Sequence, residues 1–118
     1  MVKLTNWEPE DRRLSATALG VTVTGERSRR AYVIWPRVQN VSRRSAVGLD
    51  AMLAVAIAHE IGHILLSHNA HTKNGLMRES WDANDLRSAA AGLLGFSRES
   101  AVRIARAMRS EMTIAERR

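Results

Sequence analysis

The sequence predicts a small α+β domain with an N-terminal β-hairpin or small sheet, a central buried helix and two C-terminal helices. Two segments of small, β-branched and aromatic residues lie at 18–24 and 31–35, and one long apolar stretch of helix-forming residues covers 49–66. The chain has 118 residues and is 45% hydrophobic, so we expect residues 1–118 to form a single domain. It has no cysteine, which excludes disulfides and thiolate metal ligands.

The N-terminal half contains the predicted strands. The segments 18–24 and 31–35 flank a polar turn at residues 25–30, a pattern typical of a β-hairpin. Pro36 is expected to end the second strand and to place it at the edge of the sheet. Residues 40–48 are interpreted as a polar connection or a short helix that leads into the apolar helix.

The C-terminal part is predicted to be helical. Residues 75–77 indicate a turn, and Asp82 with Asp85 three positions later is typical of a helix start, with the helix reaching about Leu94. Gly95 is expected to end that helix, and Ser97 to cap a last helix at about residues 98–112. This last helix has a stripe interpreted as core packing, which consists of Val102, Ala105, Met108 and Met112.

The most specific motif is His59-Glu60-Ile61-Gly62-His63, an HExxH sequence inside the long apolar helix. Residues four apart project from the same side of a helix, so both imidazoles can reach one ion. Zinc accepts imidazole nitrogen, and a carboxylate beside the metal can accept a proton from the metal's water. The motif therefore predicts zinc ligands at His59 and His63 and a general base at Glu60.

The third ligand has several candidates. His68 follows His63 by five residues, which on a continued helix points it away from the ligand side. His71 is favoured, because a helix end near Asn69 would turn the chain back towards the metal. Acidic alternatives remain open, and these are Glu79, Asp82 and Asp85.

Residues 59–77 resemble the active-site segment of metzincin-type zinc peptidases, which have HExxHxxGxxH followed by a methionine in a tight turn under the zinc. They are more similar still to uncharacterised bacterial zincin-like proteins that read roughly HEIGHLLLG-x-x-x-H-S-x-x-G-I-M-R. In that group an Asp-Leu-Arg segment and a Phe-Ser/Thr-x-Glu helix start follow, as they do at residues 85–87 and 96–99 here. The similarity extends over about residues 31 to 110, but only residues 59–78 are specific.

The resemblance implies a zincin-like metallopeptidase domain in which His59, His63 and His71 bind zinc, Glu60 is the base and Met77 is the turn methionine. His71 stands two positions later than the metzincin spacing places its third histidine. The implied function is a zinc-dependent, peptidase-like hydrolase acting on a peptide or protein. Two alternatives are a gluzincin- or anti-repressor-type peptidase with an acidic third ligand, and a metal-stabilised binding module without turnover.

Charge and composition bear on partners and location. The net charge is +6, but the basic residues are spread along the chain and aromatic residues make up only 4%, so we expect no nucleic-acid partner. The N-terminus lacks an apolar signal core, and His59, Glu60 and His63 argue against placing the apolar helix in lipid. The sequence as written therefore predicts no membrane partner and a cytoplasmic location. If a leader is missing from this sequence, a secreted protein is the alternative.

Overall fold

A computed structural model of the protein describes residues 2–6, 18–24, 28–66 and 71–116. This part of the chain contains a small sheet and helices, which confirms the predicted α+β class. In chain order the elements are β1 (Val2–Thr5), β2 (Gly20–Thr24), β3 (Arg29–Ile34), α1 (Trp35–Ser45), α2 (Leu49–Leu66), α3 (Ala83–Ala90) and α4 (Arg98–Glu116).

The described strands form one mixed sheet in the order β1-β3-β2. The predicted hairpin pairing is confirmed, because β2 runs antiparallel to β3 with Val21 opposite Tyr32. Strand β1, which the sequence analysis did not predict, pairs in parallel with β3 and places Leu4 opposite Val33. As a result β3 is the central strand and β2 lies at an edge.

The prediction that Pro36 marks an edge strand is wrong. Strand β3 ends at Ile34, and Pro36 lies in the first turn of α1. A backbone N–H at this position would have no partner within the helix, so proline is tolerated there. Helix α1 then continues to Ser45, so most of the segment predicted as a polar connection or a short helix is helical. Ala46 ends α1 in the left-handed conformation, with a φ of 59°.

Helix α2 begins at Leu49 as predicted, and its predicted end near Asn69 lies outside the described residues. The helix contacts the sheet and the other three described helices. Its first half contributes Met52 and Ala56 to an apolar cluster that also contains Val33 of β3 and Val38 of α1. Burial of each larger side chain in this cluster stabilises the fold by about 1.5–3 kcal/mol. The second half of α2 carries the HExxH residues. The apolar core therefore holds the first half of this helix, and the polar site lies on its second half.

The segment after α2 is held by backbone hydrogen bonds. The predicted turn at residues 75–77 is confirmed: Gly75 has a φ of +80°, which suits glycine, and the Arg78 amide donates to its carbonyl. The Leu76 amide donates to the carbonyl of Gly95 at 2.7 Å. These bonds tie the turn to the segment that leads into α4.

Helix α3 begins as predicted, because Asp82 and Asp85 form a reciprocal capping box. It ends at Ala90, earlier than the predicted Leu94. Gly92, with a φ of +73°, ends this helix rather than Gly95, and the Leu93 amide donates to the carbonyl of Ser88.

Helix α4 begins after Ser97 as predicted, and the Ser97 hydroxyl accepts from the Ser100 amide at 3.2 Å. The interpretation of Val102, Ala105, Met108 and Met112 as core packing is wrong, since all four side chains are exposed. The inward side of α4 instead carries Ser100, which is fully buried, and the half-buried Ile104 and Ala107.

Among the described helices, α2 is the one long and apolar enough to cross a membrane by length and composition. Core helices of water-exposed domains pass the same criterion, and here α2 packs against a sheet and carries buried ionisable groups. The cytoplasmic location stays a prediction.

Candidate metal centre

His59 and His63 face the same side of α2, one helical turn apart. Their Nε2 atoms are 3.2 Å apart, and their ring centroids are 4.8 Å apart. Both side chains are largely buried, with exposed fractions of 9% for His59 and 6% for His63. The i, i+4 spacing in the sequence therefore produces a pair of imidazoles directed at one point.

His71 joins this pair from the segment after α2. Its ring centroid lies 5.4 Å from that of His59 and 4.9 Å from that of His63. One ring nitrogen from each histidine can be chosen so that all three lie within 4.8 Å of one another. His71 is exposed, so the trio is open to solvent on this side. His68 and Asn69 lie outside the described residues.

The tautomer of His59 follows from its hydrogen bond. Its Nδ1 lies 2.7 Å from the carbonyl oxygen of Leu76, and because a carbonyl can only accept, Nδ1 carries the proton. The same oxygen accepts from Trp81 Nε1 at 3.1 Å. Burial lowers the pKa of His59 to about 4, so near neutral pH its Nε2 presents a lone pair towards His63 and His71.

Met77, next to Leu76 in the turn, forms the floor beneath this part of α2. The Met77 side chain is fully buried, and its backbone carbonyl accepts from the Thr72 amide at 3.0 Å. A Cβ atom added at Gly62 would lie 2.4 Å from Met77 Sδ and 2.9 Å from a ring carbon of Phe96. Glycine at position 62 thus permits the close packing that brings the Leu76 carbonyl to His59.

Glu60 lies on a different side of α2, against the edge strand β2. Its side chain is 4% exposed, and its Oε2 accepts from the Thr22 hydroxyl at 2.6 Å. Burial raises the pKa of Glu60 to about 7, and the Thr22 hydrogen bond opposes part of that rise. A carboxyl group with this pKa exchanges protons readily near neutral pH.

The three imidazoles lie close enough together to hold a metal ion such as zinc. With zinc–nitrogen bonds of about 2.0–2.1 Å, ligand atoms of a tetrahedral site lie about 3.3 Å apart. The His59 and His63 nitrogens already have this spacing, at 3.2 Å. His71 is exposed, and the three ligand atoms lie within 4.8 Å of one another. Three close histidines of this kind can bind a metal ion.

The acidic alternatives to His71 are engaged elsewhere or exposed. Asp82 and Asp85 cap α3, and each carboxylate also contacts the guanidinium of Arg78, at 3.1 and 3.3 Å. The backbone amide of Asp85 lowers the pKa of Asp82, chiefly by donating to its carboxylate. Glu79 is exposed. In the described part of the chain, the metal-binding group that the structure assembles consists of His59, His63 and His71.

Sequence reasoning missed the groups that surround the motif. Thr22 donates a hydrogen bond to the Glu60 carboxylate, and Trp81 donates one to the Leu76 carbonyl. Neither residue belongs to a local motif. No protein-family model, curated protein or solved structure matches the chain significantly.

Proposed function

We propose that this protein is a zincin-like, zinc-dependent peptidase or related hydrolase. In this proposal His59, His63 and His71 hold the metal, and Glu60 is the general base. The observation that carries it is the convergence of three imidazoles, with ligand atoms within 4.8 Å of one another, two of them on a helix that carries a buried glutamate at HExxH spacing. The resemblance of residues 59–77 to metzincin-type peptidases supports the same assignment.

The donor set favours zinc. Catalytic zinc sites combine three protein ligands with an open position, and three histidines are one of the sets they use. The chain has no cysteine, and the acidic candidates on α3 are engaged in capping, which leaves an all-imidazole set. Imidazole also binds copper, iron and nickel, so the metal content of the purified protein is part of the proposal. Bound zinc supplies polarisation of the scissile carbonyl and a water of lowered pKa.

The protein's own residues have distinct tasks in this mechanism. The Leu76 carbonyl fixes the tautomer of His59, so that Nε2 is directed at the metal position. Glu60 accepts the proton of the attacking water and later delivers it to the leaving amine, a cycle that suits a pKa of about 7.

A peptide is the substrate class that the surroundings favour. Among the described strands, β2 lies at the edge of the sheet, and its Thr22 contacts Glu60. An extended peptide that added to this edge would run past the proposed base.

The test is to compare the wild type with Glu60→Gln on quenched fluorescent casein, with zinc measured by elemental analysis. We expect about one zinc per chain in both proteins, with hydrolysis reduced by roughly two to four orders of magnitude in the variant. The matched control is Glu99→Gln, because Glu99 is an exposed glutamate of α4 paired with Arg103. Zinc in the wild type without hydrolysis would favour a metal-stabilised binding module. Equal hydrolysis in wild type and Glu60→Gln would remove Glu60 from the mechanism.

A further inference from the structure

Two residues of β2 contact the Glu60 side chain. Gly20 and Thr22 are two apart, so they face the same side of the strand, which is the side turned to α2. The Thr22 hydroxyl is 2.6 Å from Glu60 Oε2 and 3.4 Å from the Glu60 backbone carbonyl oxygen. Thr22 is only 6% exposed, so its hydroxyl is committed to this contact rather than to solvent.

Gly20 accommodates the other carboxylate oxygen. A Cβ atom at this position would lie 2.9 Å from both Cγ and Oε1 of Glu60, and 2.6 Å from the carbonyl oxygen of Tyr32. Any larger residue would therefore push the carboxylate out of its present position. Gly20 leaves the space that Glu60 fills, and Thr22 donates to the carboxylate within that space.

We propose that Thr22 is a positioning residue for the hydrolytic reaction, holding the Glu60 carboxylate in the orientation in which it acts as base. This inference rests on the proposed function. A glutamate side chain has several rotatable bonds, whereas a β-branched threonine in a strand is restricted in χ1. Thr22 is also fixed by its strand, where it pairs with Ala31 of β3. The hydroxyl thus transfers the rigidity of the sheet to the catalytic carboxylate.

A purely structural role makes a different prediction. If the hydroxyl only satisfied a buried carboxylate, its loss would lower stability and leave the turnover of folded, zinc-loaded protein unchanged. If it positions the base, its loss lowers kcat at unchanged KM, because displacement of a catalytic group by about 1 Å can cost on the order of 10²-fold in rate.

The experiment uses the full chain loaded with zinc and quenched fluorescent casein as substrate. Thr22→Val keeps the shape of the side chain and removes the donor, whereas Thr22→Ser keeps the donor. Thr5→Val is the matched control, since Thr5 is a buried threonine of β1 in the same sheet. We expect Thr22→Val to lower kcat about 10²-fold with KM and zinc content kept, Thr22→Ser to recover most of the rate, and Thr5→Val to match the wild type. Wild-type kcat in Thr22→Val, or an equal loss in Thr5→Val, would overturn the proposal. Should Thr22→Val fail to fold, Thr22→Ala takes its place with the same expected loss.

A stability cycle separates failure of this inference from failure of the proposed function. In metal-free protein, the loss of melting temperature in the double variant Thr22→Val, Glu60→Ala should be smaller than the sum of the single losses, because the two residues share one hydrogen bond. Additive losses would refute the contact and with it the positioning role. Non-additive losses would support the contact. If the wild type then shows no hydrolysis, the proposed function is refuted, and with it the positioning role of Thr22.

Discussion

The second half of α2 has two sides that are built differently. The histidine side, with His59 and His63, faces the segment 71–81 and is completed by the exposed His71 and the Leu76 carbonyl. The glutamate side carries Glu60, which is covered by β2 and 4% exposed. The side proposed to exchange ligands is open, whereas the side proposed to hold the base is closed.

Burial acts on both sides but moves their pKa values in opposite directions. It lowers the pKa of His59 to about 4 and raises that of Glu60 to about 7, because it disfavours the charged form of each group. Without a metal, both side chains are therefore mostly neutral at about pH 6. A neutral imidazole is the metal-binding form, and a bound dication beside Glu60 would favour its ionised form.

The largest expected effect comes from removing one of the two helical imidazoles on the histidine side. His63→Ala removes one of the two helical imidazoles, and we expect the zinc content of protein purified without chelator to fall from about one per chain to near zero. Casein hydrolysis should disappear with it. Circular dichroism should show that the fold persists, because the apolar cluster of α2 lies in its first half. Full zinc occupancy in both His63→Ala and His59→Ala would contradict the site.

The next effect tests how the histidine side is completed. We expect His71→Ala to weaken zinc binding by more than the 10- to 100-fold typical of outer-shell changes, because it removes a direct ligand. His68→Ala, the same substitution three residues earlier, should leave the affinity nearly unchanged. Competition with a chromophoric chelator measures both. An affinity loss carried by Glu79→Ala or Asp85→Ala instead would favour the acidic third ligand.

The burial of Glu60 on the glutamate side should be measurable in the pH dependence of stability. The folded pKa of Glu60 is about 7 against 4.5 as the ordinary value, so the folded state holds this proton more tightly and wild-type stability falls as pH rises from 4.5 to 7. Glu60→Gln lacks this loss. In metal-free protein, the free energy of unfolding of the variant relative to the wild type should therefore rise over that window by about 3 kcal/mol.

Urea unfolding at several pH values measures this difference. Both proteins share the effect of His59, whose lowered pKa removes stability as pH falls from 6.5 towards 4, so the comparison isolates Glu60. A difference that does not change with pH would mean that Glu60 is solvated rather than buried.

The smallest expected effect concerns the floor of the histidine side. Gly62→Ala places a methyl group 2.4 Å from Met77 Sδ, and because Met77 is fully buried we expect a loss of about 2 kcal/mol from overpacking. Zinc affinity should fall as well, since the displaced turn carries the Leu76 carbonyl. Gly95→Ala is the control: a Cβ there meets nothing within 4 Å, so stability should change by less than about 0.5 kcal/mol.

The same contrast explains which parts of the site could be predicted from sequence. His59, Glu60 and His63 belong to one helix, and helical periodicity alone relates their directions. Thr22 lies 38 residues before Glu60, and its contact depends on the packing of β2 over α2. No local pattern encodes such a long-range contact, which is why the motif was found and its support was missed.

The fold shows a similar division. Capping residues predicted the start of α3 at Asp82 and of α4 after Ser97, because capping is a local interaction. The inward side of α4 was predicted wrongly, since Ser100 is fully buried and the residues of the stripe are exposed. The prediction that β3 lies at an edge was also wrong, because β3 pairs with β1, a strand that lies far away in sequence.

We expect three imidazoles, those of His59, His63 and His71, to hold one metal ion. X-ray absorption spectroscopy at the zinc edge tests it most directly, because the number of imidazole ligands can be determined from the spectrum of zinc-loaded protein. We predict three imidazoles in the wild type and two in His71→Ala, with the remaining positions filled by oxygen. Two imidazoles in both proteins would contradict the account.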